Sequence, residues 1–218
     1  MVVKKQINKR QSTREYVKEA LMGRILDGLY APGERLIELQ IAQELETSQG
    51  PVREALRDLE ALGLVESQQY RGTRVREITE QEIEDSYQVR SVLEQLAAEL
   101  AAPKLKDKTE LLEKQLQLSQ QAASRRDLKR YAHHDMEFHR LIVEAAGNEL
   151  LAELWNSVVL ESRFIATIKR RIGEEELEHL ADAHEPILEA IRAGNGVKAG
   201  RLARELINTF HSAKQQGK

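Results

Sequence analysis

Between Leu39 and Arg76 the spacing of apolar positions changes from helical to strand-like. Leu39, Ile41, Ala42 and Leu45 are expected to bury one side of a short helix. Thr47-Ser48 then make a turn, with Ser48 placed to cap a second helix. Val52, Ala55, Leu56, Leu59 and Leu62 recur at offsets of three and four, which is one stripe along that second helix. Pro51 falls in its first turn, where a missing N–H does no harm, and Gly63 ends it. Leu64-Val65-Glu66-Ser67 and Thr73-Arg74-Val75-Arg76 alternate with period two, so they form a hairpin around Tyr70-Arg71-Gly72. Upstream, Tyr16, Val17, Ala20, Leu21, Ile25 and Leu26 mark an amphipathic helix capped by Thr13 and closed by Gly28. A turn through Pro32-Gly33 comes after it. Helix, turn, helix and hairpin make a winged helix-turn-helix, whose second helix enters the DNA major groove. Gln49, Gly50, Arg53 and Arg57 stay off the core near the start of that helix.

From Thr79-Glu80-Gln81-Glu82, which has the form of a capping box, no strand-like alternation recurs. Helices are expected at about 80–102, 107–125, 128–146, 149–171, 174–193 and 196–214. The breaks are Pro103, Arg126-Asp127, Gly147-Asn148, Gly173 and Gly194-Asn195-Gly196, and Pro186 kinks or restarts the fifth helix. Short connections make neighbouring helices antiparallel. The chain therefore reads as mostly α. A winged helix-turn-helix DNA-binding domain spans residues 1–78, and an all-helical antiparallel bundle spans 79–218.

Charge sharpens this division. The net charge of −3 hides 13 Lys+Arg against 11 Asp+Glu in residues 1–76 and 20 against 25 in 77–218. The first eighteen residues hold six basic groups and one acidic, an arm suited to phosphate contact or to plain solvation. There is no cysteine, which excludes disulfides and thiolate metal sites and fits a reducing cytoplasm. No apolar run approaches membrane-spanning length and no signal-peptide core is present, so a cytoplasmic location is expected.

Three features of the second half can carry chemistry. Asp135 and His139, four apart, point the same way from one helix, among Phe138, Leu141, Ile142 and Val143. His184 lies one turn before Ile187, Leu188 and Ile191 and also faces the core side. Arg90 sits on a helix rich in alanine and leucine, four residues before Glu94, with which it can form a surface ion pair. One carboxylate with two imidazoles suits Zn²⁺, Ni²⁺, Fe²⁺ or Mn²⁺. Each histidine taken alone reads more readily as a hydrogen-bonded core or surface residue than as a ligand, and His133, His134 and His179 read as surface.

The motifs Pro32-Gly33-Glu34-Arg35-Leu36, Gly50-Pro51-Val52-Arg53-Glu54-Ala55-Leu56, Leu62-Gly63-Leu64-Val65 and Arg71-Gly72 resemble the DNA-binding domain of the GntR family of bacterial transcription regulators. Arg90-x-x-x-Glu94, Asp135-x-x-x-His139 with Asn148, and His184-x-x-Ile187-Leu188-x-Ala190-Ile191 resemble the FadR-type ligand-binding (FCD) domain of one branch of that family. The resemblance implies a homodimer that binds double-stranded operator DNA through Arg35, Ser48, Gln49, Gly50, Arg53, Arg57, Arg71 and Gly72. It also implies a bundle that dimerises and binds a small carboxylate effector, which Arg90 would meet. In many members a divalent metal, here Zn, Ni or Mn, organises that pocket, and Asp135, His139 and His184 match three of its ligands. Two departures stand out. Gln49-Gly50 replace the Arg-Thr pair of many relatives, though Gln can still read adenine. Leu206 stands about where relatives carry a fourth ligand, a histidine; His211, five residues on, lies about 140° round the helix.

A repressor that responds to a small organic acid is the leading expectation. A two-histidine, one-carboxylate metalloenzyme and a metal-free regulator with an acyl-type effector are the alternatives.

Overall fold

The computed structural model describes residues 12–26, 28–68, 71–162 and 177–212. These form two compact units, divided after Thr79.

The first unit consists of α1 (Thr13–Leu26), β1 (Arg35–Leu36), α2 (Glu38–Glu44), α3 (Gln49–Ala61), β2 (Val65–Gln68) and β3 (Gly72–Val75). Ser12 caps α1, its Oγ accepting the Glu15 N–H at 3.2 Å, so the cap lies one residue before the expected Thr13. Val17, Leu21 and Ile25 of α1 are buried, as are Ile41, Ala42, Val52, Ala55, Leu56 and Leu59 of the next two helices. Leu39, expected inside, is 54% exposed. It stands two residues from Ile41, about 200° round a helix, and the two cannot share a face. The hairpin pairs Val65 with Val75 and Gln68 with Gly72. A third strand, β1, adds to its free side with Arg35 opposite Arg74, giving the order β1-β3-β2. The sequence predicts only a turn there, because two residues are too few to display a period. Tyr70 at the wing tip and the basic arm up to residue 11 lie outside the described residues.

The second unit contains α4 (Glu80–Leu105), α5 (Glu110–Ser124), α6 (Leu128–Ala146), α7 (Glu149–Ser162), α8 (Leu177–Asp182), α9 (Glu185–Arg192) and α10 (Gly196–Ser212). Side-chain caps set its helix starts. Asp127 accepts from the Arg130 N–H at 3.1 Å, Asn148 from Leu151 at 3.1 Å and Asn195 from Lys198 at 3.0 Å. Gly147, at φ 63°, closes α6 in the left-handed conformation that favours glycine. The expected helices over 149–171 and 174–193 fall partly on residues 163–176, outside those described, as does the break at Gly173. Within 177–193 the helix does restart, at Glu185, with Pro186 in its first turn.

Pro103 does not end α4, which runs on to Leu105. Having no N–H, Pro103 leaves the Glu99 carbonyl without its helical partner. Helix α10 lies close against α4 at that point. A Cβ on Gly196 would stand 2.5 Å from the Glu99 carbonyl oxygen, and one on Gly200 would stand 2.8 Å from that of Gln95. Two glycines one turn apart thus let the backbones meet. Helix propensity alone would make Gly200→Ala stabilising by roughly 1 kcal/mol. The contact reverses the sign, and a loss of about 1–3 kcal/mol is expected in urea unfolding followed by circular dichroism.

The core of this unit joins Ala97, Ala98, Ala101 and Ala102 of α4 to Phe138 and Ile142 of α6, Trp155 of α7, Ile187 and Ile191 of α9, and Ala199, Ala203 and Leu206 of α10.

Candidate functional site

In the first unit the candidate contact residues lie on the outer side of α3 and on the three-stranded wing. Ser48 is the N-cap of α3 by backbone geometry (φ −96°, ψ 164°) and makes no side-chain cap bond. Gln49, Gly50, Arg53 and Arg57 are all exposed. Arg53 is held by Glu38 at the start of α2, Nη2 to Oε2 at 2.7 Å and Nε to Oε1 at 3.1 Å. Arg57 pairs with Glu54 at 2.8 Å. Such exposed pairs contribute at most about 1 kcal/mol, so either arginine can exchange its partner for a base edge or a phosphate. In the wing, Gly72 has φ +78°, and a Cβ there would stand 3.4 Å from Arg35 Nε. The glycine therefore permits the turn, and Arg35 lies beside it at ordinary contact distance. Arg71, adjacent, is exposed.

In the second unit Asp135, His139 and His184 come together, with one potential ligand atom from each lying within 4.8 Å of the others. Asp135 and His139 lie one turn apart on α6, and His184 occupies the turn between α8 and α9. The imidazoles approach Nε2 to Nε2 at 3.1 Å, and Asp135 Oδ1 is 3.1 Å from His184 Nε2. Phe138 meets both rings edge-on, with centroids 5.8 and 5.2 Å away.

The outer nitrogens fix the tautomers. His184 Nδ1 faces the carbonyls of Leu180 and Ala181 at 3.0 and 3.2 Å, which can only accept, so it carries a proton. His139 Nδ1 lies 2.7 Å from Glu94 Oε2. This contact misses hydrogen-bond geometry, and Oε2 is left as a buried side-chain oxygen without a hydrogen bond. Two lone pairs at that distance would repel, so His139 Nδ1 also carries its proton. With both rings neutral, two Nε2 lone pairs and a carboxylate oxygen converge with no proton among them. A cation resolves that arrangement, either a metal or a proton on one imidazole. The second outcome is visible in the electrostatics. Burial disfavours the His184 imidazolium, but the hydrogen bond and charge of Asp135, with the Leu180 and Ala181 carbonyls, outweigh it and raise the pKa. Asp135, which burial would push up, is instead drawn down to about 2 by His184, His139 and Arg90.

Around this trio runs a buried polar chain. Arg90, 5% exposed, donates from Nε to Glu94 Oε1 at 2.6 Å, and Trp155 Nε1 donates to the same oxygen at 2.8 Å. Burial would raise the Glu94 pKa, but Arg90, His139 and Trp155 hold it well below the usual carboxylate range. Tyr131 donates to Asp135 Oδ1 at 3.2 Å. The sequence predicts a surface contact for Arg90 and Glu94 and does not single out Tyr131 or Trp155. The spacing of four that links Arg90 to Glu94 is legible, whereas its burial requires knowing that α6 and α7 close over α4. The narrow cleft beside His139 has an apolar side formed by Ala97, Ile142, Val143, Ile187 and Ala203. Leu206, one turn beyond Ala203, is 6% exposed in the same core. The side chain of His211 lies outside the described residues.

A winged helix-turn-helix ahead of a helical bundle with a buried polar centre defines a DNA-binding regulator with a sensory domain. Family comparison agrees, and the chain belongs to the GntR family of bacterial regulatory proteins, whose model matches residues 13–75, with an FCD domain over residues 85–209. It is 34% identical over 186 residues to the "Probable D-xylose utilization operon transcriptional repressor" of Paenarthrobacter nicotinovorans, covering 85% of this chain and 81% of that one. It is 30% identical over 188 residues to the gluconate operon transcriptional repressor of Bacillus licheniformis, covering 84% and 77%. A solved structure assigned as a GntR transcriptional regulator, from Rhodococcus sp. RHA1, superposes with a TM-score of 0.80 at 26% identity, covering 95% of this chain and all of that one. The chain is thus a transcriptional regulator and not an enzyme, and the metalloenzyme alternative is set aside. Among the described residues no helix is long and apolar enough to cross a membrane.

Proposed function

We propose that the chain is a homodimeric, cytoplasmic repressor whose hold on a double-stranded DNA operator is altered when a small carboxylate binds the helical unit. The observation that carries this reading is the convergence of Asp135, His139 and His184 inside a domain joined to a winged helix-turn-helix. The donor set of two neutral nitrogens and one carboxylate oxygen fits Zn²⁺, Ni²⁺ or Mn²⁺, and their Nδ1 contacts pre-orient both rings for it. A metal held there would supply a Lewis-acidic anchor for the effector's carboxylate. Arg90 adds positive charge to the site, although its Nε is already given to Glu94. The named repressors among the relatives support the sign of regulation.

On DNA, Arg53 and Gln49 would read base edges in the major groove. Ser48, Gly50 and Arg57 would lie against the groove or its phosphates, with Arg35, Arg71 and Gly72 contacting the backbone or minor groove from the wing. Selection from a random duplex pool is expected to return a pseudo-palindrome. On the selected site Arg53→Ala should lose about 1–3 kcal/mol of specific affinity. Arg71→Ala should weaken specific and non-specific sites alike. Arg53→Ala binding as well as wild type while remaining folded would refute the assignment of α3 to the groove. Release of the selected duplex by one of a panel of short hydroxy- and keto-acids tests the sensory role.

A further inference from the structure

A cavity of about 280 Å³ opens at the turn that joins α5 to α6, and none of the residues lining it belongs to the polar centre. That volume lies at the small end of ligand pockets. Arg130, His133 and His134 line it from α6, where offsets of three and four place them on one face. Asp135 and His139 lie about 100° or more further round the same helix. Arg125, the C-cap of α5, adds a second guanidinium. The run from Arg125 to His134 holds four Arg and Lys against one Asp, within a unit that is acidic as a whole. That Asp127 caps α6 through Oδ1 and meets Arg130 Nε through Oδ2 at 3.4 Å, an exposed contact that a more highly charged anion displaces readily. Arg125 makes no ion pair with any described residue. Gln115 Oε1 holds His134 Nδ1 at 2.9 Å, and the two imidazoles stand edge-on with centroids 4.9 Å apart. The turn keeps this shape without a ligand, because the Asp127 N–H donates to the Ala122 carbonyl and the Arg126 N–H to that of Ala123, both at 2.9 Å.

We propose that this cavity is a second ligand site, separate from the polar centre, that takes the phosphate group of a small phosphomonoester. Arg125 and Arg130 bring planar N–H forks that match phosphate oxygens two at a time. An imidazole serves either an ionised or a protonated oxygen, since each ring can donate and accept. A phosphomonoester presents three such oxygens, enough to engage all four side chains. A lone carboxylate presents two and would leave part of the set unused. Leu118 and Ala122 give the body of the ligand an apolar wall, and the Gln121 amide beside them can meet a hydroxyl. A DNA backbone carries the same group, but an indentation of this volume accommodates one phosphate with a few attached carbons rather than a strand. The site is complete whether or not Asp135, His139 and His184 hold a metal.

Titration of the full chain with glycerol 3-phosphate, followed by the width of its ³¹P resonance, tests the site. Wild type is expected to bind it at low millimolar concentration or tighter, with inorganic phosphate several-fold weaker for want of a body against Leu118 and Ala122. Arg125→Gln combined with Arg130→Gln should weaken binding about tenfold or more, the loss of two charge-assisted contacts, with unchanged circular dichroism. Arg125→Gln alone, at an exposed helix end, should show part of the loss. Arg53→Ala on the DNA-binding face and His139→Ala in the polar centre should titrate like wild type. No broadening with wild type, or full binding by the double variant, overturns the proposal. Loss of binding in Arg53→Ala or His139→Ala overturns it too, by moving the phosphate to one of those places. Inorganic phosphate binding as tightly as the ester would assign the cavity to the free ion instead. A double variant that also loses affinity for the selected duplex, with a salt dependence shallower by about two phosphates, would make the cavity a contact to the DNA backbone.

Discussion

Replacing Glu94 by alanine is expected to destabilise the helical unit by about 3–5 kcal/mol, the cost of leaving a buried charge without its partner. Glu94 and Arg90 are 3 and 5% exposed, one turn apart on α4, and the carboxylate also takes the Trp155 indole N–H. Alanine would strand the guanidinium, the indole donor and the His139 Nδ1 proton in one step. The size of the loss therefore measures the desolvation of these groups more than the strength of any single bond. Urea unfolding followed by circular dichroism is the suitable readout, because Trp155 loses its own partner in the variant. Replacing both members of the pair, Arg90→Met with Glu94→Leu, removes the buried charges together and should recover most of the stability. A single Glu94→Ala variant within about 1 kcal/mol of wild type would mean that the pair behaves as a solvated surface contact.

The same residue shows where sequence reading stops. The stripe Val52, Ala55, Leu56, Leu59 defines the face of α3 because three- and four-residue spacing is a local property, and all four are buried. The hairpin is legible for a similar reason, since alternation and Gly72 both act within a few residues. The candidate metal-binding residues Asp135 and His139 can be paired from their spacing on one helix. His184, 45 residues beyond His139, is legible as core-facing from its own spacing and is strengthened as a partner by the resemblance to a known motif, while the fold supplies the 3.1 Å approach. The features hidden from the sequence depend on packing between distant segments. Strand β1 exists because β3 offers it a free edge, and α4 runs on past Pro103 where a Cβ on Gly196 of α10 would meet the Glu99 carbonyl. Glu94 looks like any i,i+4 ion-pair partner until α6 and α7 close over it. Leu39 departs from expectation for a simpler reason: a seven-residue helix has room for one buried pair, here Ile41 and Ala42.

His139→Ala is expected to lower metal affinity by about 100-fold or more, since it removes one of three protein ligands and leaves a buried cavity in its place. Its Nε2 stands 3.1 Å from that of His184, so no neighbouring side chain can take over the same point in space without moving. The DNA-binding unit has its own core and should keep its affinity for the selected duplex, while the response to carboxylates is lost. Glu94→Gln tests the outer contact. It keeps the shape beside His139 Nδ1 but removes the charge, and outer partners of ligating histidines are worth roughly 10–100-fold in metal affinity. Leu206→His moves affinity the other way. Leu206 is buried one turn beyond Ala203, which lines the cleft beside His139. An imidazole in its place would complete a four-ligand set and should tighten binding about tenfold or more. Calorimetry with Zn²⁺, Ni²⁺ and Mn²⁺ on the four proteins decides among these outcomes. If wild type takes up none of the three ions and His139→Ala still releases DNA on adding the effector, the metal is no part of the switch. Recognition of the effector would then fall to Arg90 and the polar groups around it, with Leu206 and Ala203 forming an apolar wall suited to an acyl chain.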